Sequence, residues 1–157
     1  MKRFLFLSQI ILFFACSSMK NDSKTTINNL PPLHYEIIKE GMNAYAFDQA
    51  QFRIIQSDKT FKQIWDSLNQ DMPEPLPEID FNKNMVVFYS YGPFNHGGYT
   101  LKLHDVEENE NEIILHVFMQ SPNPEDFVTE VLTHLYFLVK INRTNKSVKI
   151  IKIDKPD

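Results

Sequence analysis

The stretch that decides the fold runs from Gly98 to Met119: Gly-Tyr-Thr-Leu-Lys-Leu-His-Asp-Val over residues 98–106, Glu-Glu-Asn-Glu-Asn over 107–111, and Glu-Ile-Ile-Leu-His-Val-Phe-Met over 112–119. In the first part Tyr99, Leu101 and Leu103 alternate with Thr100, Lys102 and His104. In the last part Ile113, Leu115, Val117 and Met119 alternate with Ile114, His116 and Phe118. A period of two sends successive side chains to opposite faces of an extended chain, so both parts read as half-buried strands. The residues between them are charged or amide-bearing, which makes them a turn and the pair a hairpin.

Outward from this hairpin the same pattern recurs. Leu33–Lys39 and Gln51–Gln56 are strand candidates, and Met85–Ser90, apolar on both alternate sets, reads as a central strand. Leu135–Asn142 and Ser147–Ile153 flank Arg143-Thr144-Asn145-Lys146 and read as a second hairpin. One segment has a different period: Phe61, Ile64, Trp65 and Leu68 fall at i, i+3, i+4 and i+7 after Ser57-Asp58, a side-chain cap followed by an acidic first turn. This spacing predicts a helix over 58–69 whose aromatic stripe belongs to a core. The loop Met72-Pro73-Glu74-Pro75-Leu76-Pro77, with prolines at alternate positions, reads as an extended connector. The expected fold is mainly β (α+β): an antiparallel sandwich-like or curled sheet of about seven strands with one covering helix near 58–69.

The amino terminus has another character. Lys2 and Arg3 precede an apolar run, Phe4 to Phe14, interrupted only by Ser8 and Gln9. As a helix this run would rise about 16 Å, well short of the ~30 Å hydrocarbon core of a bilayer. It fits the apolar region of an export signal better than a membrane span. The run closes on Ala15-Cys16, a small residue before the only cysteine, as lipoprotein processing requires; Phe13 stands where such signals usually carry leucine. An exported chain with one cysteine forms no internal disulfide, and acylation gives Cys16 a use. Residues 1–15 are therefore read as a signal peptide, 16–32 as a lipidated cysteine and polar tether ending in Pro31-Pro32, and 33–157 as a single β-rich domain. The membrane is then a partner through the lipid anchor at Cys16. Ser17, in place of an aspartate after the cysteine, points to the outer membrane of a bacterial cell envelope.

Formal net charge is −4 for the whole chain, with 16 basic and 20 acidic residues. Removing residues 1–15 takes away Lys2 and Arg3 and no acid, leaving 14 against 20, or −6. No cluster of Lys and Arg is present to neutralise phosphates, so nucleic acid is not an expected partner.

A resemblance emerges from the order of several short words. Phe81-Asn82-Lys83-Asn84-Met85-Val86-Val87-Phe88 is followed by Gly97-Gly98-Tyr99-Thr100-Leu101, by Ser121-Pro122, and by Val128 through Thr133 to Tyr136-Phe137-Leu138-Val139-Lys140-Ile141. This order resembles the PrcB C-terminal domain family over roughly residues 50–150. The family commonly has Thr-Gly-Gly-Tyr and Thr-x-Pro-Tyr where this chain has His96-Gly97-Gly98-Tyr99 and Thr133-His134-Leu135-Tyr136. The resemblance implies a small exported protein, often a lipoprotein, in a family named for a protease-complex component that associates with and stabilises a secreted protease.

Three of the four glycines lie within Gly92-Pro93-Phe94-Asn95-His96-Gly97-Gly98-Tyr99, between two strands. Glycine permits positive φ and close approach of another backbone, and Phe94, His96 and Tyr99 supply amphipathic surface. Phe94, Asn95, His96, Gly97, Gly98 and Tyr99 are thus the candidate partner-binding residues; the competing reading is a glycine-shaped turn whose aromatics fold back on the core. Catalytic signatures are missing: no nucleophile elbow, zincin motif, phosphate loop or cysteine pair. His104 and His116 could approach one another across the hairpin, but lack an obvious third ligand and read as surface histidines. Glu107, Glu108, Glu110 and Glu112 read as a solvated turn, since catalytic carboxylates need burial or coupling. The expectation is a non-catalytic binding module without cofactor or metal, its partner a protein and, on the resemblance, a protease. An envelope hydrolase or metal-dependent enzyme, and a small-ligand binder, are the alternatives.

Overall fold

The computed structural model describes residues 33–154. The expected signal peptide, Cys16 and the expected tether lie outside the described residues, and so does the end of the chain from 155. Seven strands and one helix follow in the order β1 (Tyr35–Gly41), β2 (Gln51–Ile55), α1 (Asp58–Leu68), β3 (Asn84–Phe94), β4 (Thr100–Glu108), β5 (Glu112–Gln120), β6 (Thr133–Asn142) and β7 (Ser147–Lys152). They form two sheets: four strands in the order β1-β6-β3-β2, and three in the order β4-β5-β7.

The mainly β, sandwich-like expectation with one covering helix is borne out, and the layering follows from side-chain alternation. Met85, Val87 and Tyr89 of β3 and Leu135, Phe137, Val139 and Ile141 of β6 face the three-stranded sheet, where Ile113, Leu115 and Val117 of β5 meet them. The other set, Val86, Phe88, Tyr136 and Leu138, faces Phe61, Ile64, Trp65 and Leu68 of α1. Because β3 and β6 are covered on both faces, they read as continuous apolar runs, not as alternation. Ser57 caps α1 by accepting from the Thr60 amide. At the other end the buried Asn69 donates from Nδ2 to the Trp65 carbonyl at 2.7 Å. The proline-rich connector is anchored to the helix: Trp65 Nε1 donates to the Glu74 carbonyl at 3.1 Å, and Lys39 pairs with Glu74 at 2.6 Å.

Two expectations are corrected. The segments around Arg143–Lys146 do not pair as a hairpin: β6 is bonded to β1 and β3 on its two sides, which leaves no edge for β7. The connection instead carries the chain into the other sheet, where β7 runs parallel to β5, so the sandwich is not wholly antiparallel. In the first hairpin the register slips between Leu103 and Asp105. His104 is exposed, and Val106, not Asp105, returns to the core.

No described helix is long and apolar enough to cross a membrane.

Candidate functional site

Strands β3 and β6 start and stop so that two inter-sheet connections meet at one end of the sandwich. The chain leaves β3 for β4 through Asn95–Tyr99, and returns from β5 to β6 through residues 121–132. The pairing of Phe94 with Thr133, after a register shift past Tyr91, brings the first connection beside the end of the second. Gly92–Pro93 is a cis peptide bond.

The glycines serve this junction. Gly98 has φ +88°, and a Cβ there would lie 2.9 Å from both Pro122 Cβ and Val128 Cγ1. Gly97 donates its amide to the Thr129 carbonyl at 2.8 Å, and a Cβ on it would meet Thr129 Oγ1 at 2.5 Å. What the glycines admit is therefore the chain's own 122–129 segment, chiefly the side chains of Pro122, Val128 and Thr129. The aromatics close around them. Phe94 stacks on Tyr99 with ring centroids 4.0 Å apart, and both pack on the inter-sheet core. His96 Nδ1–H donates to the Gly97 carbonyl at 2.9 Å, which leaves Nε2 to accept from the Tyr99 hydroxyl at 3.4 Å. Phe94, His96 and Tyr99 are half-buried, Gly97 is buried, and Asn95 and Gly98 are exposed.

What this packing pushes outward has no counterpart among the residues that the sequence reading selects. Phe127 is fully exposed, and Val128, Val131 and Leu132 are also exposed, the last at 50%. Beside them lies a cleft of about 330 Å³ lined by His96, Tyr99, Pro122, Asn123, Asp126 and Val128. An apolar run Phe127-Val128-Thr129-Glu130-Val131-Leu132 carried by a connection is the signal that could have found it, since water-facing loops seldom hold four large apolar side chains in six positions.

Two polar groups lie deeper. His134 is buried, its Nε2 has no hydrogen-bond partner among the described residues, and its ring sits against the face where Gly92 lacks a Cβ. Burial lowers its pKa, with the Asp48 carboxylate acting in the opposite sense. The Tyr136 phenol lies where a Cβ on Gly41 would meet it at 2.9 Å, beside a cavity of about 400 Å³ that Lys39, Asn69 and Glu74 also line. Burial, and secondarily the Glu74 carboxylate, pushes its pKa up to about 12, so the phenol is neutral. Among the described residues no group of three or more His, Cys, Asp or Glu side chains could hold a metal ion. His104 and His116 are separated in their interactions, His104 lying edge-on to Phe118 and His116 reaching Glu107 at 3.4 Å.

Residues 85–142 match the family model described as PrcB C-terminal. The resemblance read from the order of motif words is thereby borne out over β3 to β6, with α1 and β7 outside the matched span. Neither the curated proteins nor the solved structures gave a match.

Proposed function

We propose, with the PrcB C-terminal match over β3–β6 as premise, that this chain is a lipid-anchored protein of the bacterial cell envelope that holds an exported protease without catalysing a reaction itself. The family's name, taken from a component of a protease complex, supports the class of partner. The signal-like amino terminus ending at Cys16 supports the anchor, and Ser17 supports the outer membrane. The observation that carries the binding role is the exposed apolar crest of Phe127, Val131 and Leu132, braced from below by the Gly97–Gly98 junction. Large apolar side chains on a connection that is pinned to a rigid sandwich form contact surface at little ordering cost. In this reading Phe94, Gly97, Gly98 and Tyr99 support the surface, while Asn95 and His96 lie at its margin.

The test is affinity capture of the full chain from detergent-solubilised envelope, read by mass spectrometry. A protease is expected to recur with the unaltered chain, and Phe127→Ser with Leu132→Ser is expected to lower its recovery at least tenfold, about 1.4 kcal/mol, with the unfolding midpoint unchanged. Recovery of the chain alone, or equal recovery with the double variant, would remove the reading.

A further inference from the structure

The two sheets differ in width, and the difference leaves one strip of the wider sheet uncovered. Phe52 and Ile54 of β2 stand opposite Tyr89 and Val87 of β3, so they lie on the face of the four-stranded sheet that packs against its partner sheet. They are nevertheless 42% and 40% exposed, since among the described residues the partner sheet ends at β7 and no fourth strand covers them. Between β2 and β7 runs an apolar groove of about 470 Å³, lined by Phe52, Tyr89 and residues 148–152. The opposite side of the sandwich is closed by an ion pair between Lys102 of β4 and Glu40 of β1.

The floor of the groove is a strand edge that no other described strand pairs with. Ser147 donates its amide to the Asn111 carbonyl and Ile153 to that of Val117. Parallel pairing repeats every second residue, so Lys149 and Ile151 also face β5, while the amides and carbonyls of Val148, Ile150 and Lys152 face outward. The groove lining includes Lys149, which also pairs with Glu112 of β5, and Lys152, whose ammonium lies over the Tyr91 ring, and no carboxylate, in a chain that is acidic as a whole.

We infer that the β2–β7 groove receives an extended acidic segment of a partner polypeptide, which adds to β7 as a fourth strand of the smaller sheet. The backbone supplies the pairing, and alternation supplies the selectivity. Apolar side chains at every second position would cover Phe52 and Ile54, and carboxylates at the others would lie on the outer face beside Lys149, sharing its ammonium with Glu112. A second copy of this chain is a poorer occupant: it would bring further lysines to an edge that lysines already guard against self-pairing.

The probe is an acetylated, amidated heptapeptide of alternating Glu and Val, added to the full chain in detergent and followed by residue-resolved amide exchange. At saturation the amides of Val148, Ile150 and Lys152 are expected to exchange at least tenfold more slowly, with Lys149 and Ile151 little changed. Lys149→Glu with Lys152→Glu is expected to weaken peptide binding at least tenfold. Failure of the peptide to slow those three amides would overturn the inference, as would equal binding of the same peptide N-methylated along the edge facing β7. Concentration-dependent dimerisation that protects the same amides without peptide would assign the groove to a second copy and overturn it too. The Phe127→Ser, Leu132→Ser chain is expected to bind the peptide unchanged, so this result and the fate of the apolar crest are read separately.

Discussion

At the residue scale, His134 and the glycine pair make the sharpest predictions. The His134 ring is 2% exposed and its folded-state pKa is lowered by burial, so the unfolded chain binds this proton more readily than the folded one. The neutral ring's contribution is fully present above the unfolded pKa of about 6.5 and is lost as pH falls from there through the folded value. Denaturation midpoints taken between pH 7.5 and 5 should fall more steeply for the unaltered chain than for His134→Phe, by up to about 1.4 kcal/mol per pH unit, the slope of one proton. Parallel curves would mean that His134 does not titrate with unfolding. At the glycines the two obstacles differ in kind. Gly98→Ala meets carbon atoms of Pro122 and Val128 at positive φ, and is expected to cost about 1–3 kcal/mol. Gly97→Ala meets chiefly the Thr129 hydroxyl, so Thr129→Ala should relieve most of its cost while leaving that of Gly98→Ala in place. Equal rescue of both by Thr129→Ala would contradict this division.

At the scale of elements, α1 couples the outer face of the larger sheet to the proline-rich connector. Trp65 is 4% exposed, packs on Phe61 at 5.8 Å between ring centroids, and donates to the Glu74 carbonyl. Trp65→Ala is expected to destabilise by roughly 3–5 kcal/mol, the usual cost of emptying a large aromatic site. Trp65→Phe, which keeps an aromatic ring and loses the indole donor, should cost about 1–3 kcal/mol. Urea-denaturation midpoints at constant slope check both, and a shift below about 0.5 kcal/mol for the alanine variant would take the helix out of the core. The period of 3.6 in Phe61, Ile64, Trp65 and Leu68 was enough to find this helix, and period two was enough for the strands. Pairing was another matter. A polar four-residue link between two apolar runs describes a hairpin and an inter-sheet crossing equally well, and occupancy of both edges of β6 by β1 and β3 chose the crossing.

At the scale of the whole molecule, the proposed anchor and the folded domain are separate contributions. If acyl chains on Cys16 supply the membrane affinity, as more than one chain together can, Cys16→Ser should abolish lipid labelling and release the protein from the membrane fraction. The denaturation midpoint of the domain should not move, because every core residue of the two clusters lies between Ala44 and Val148. Fractionation of the serine variant with membrane as fully as the unaltered chain would require another membrane contact. The two proposed contact surfaces leave the molecule from different places: the Phe127 crest from the end where the sheets exchange strands, and the β2–β7 groove from the side where one sheet is a strand short.

Local periodicity and local chemistry determined a good deal from the sequence alone: mainly β architecture, one helix, a buried Trp65, a central β3, and a glycine-dependent junction after it. These follow from contacts within a few residues along the chain or from the average demand of one buried face, so a linear reading contains them. Only the tertiary structure decided which segment the glycines admit, that Phe94 stacks on Tyr99 beside the core, and that Phe127 and Leu132 face solvent. It alone turned β7 parallel to β5 and left Phe52 and Ile54 uncovered. Each of these depends on which of several compatible edges and faces is already occupied, and occupancy is set by segments distant in sequence, whose competition for the same partner no local pattern records.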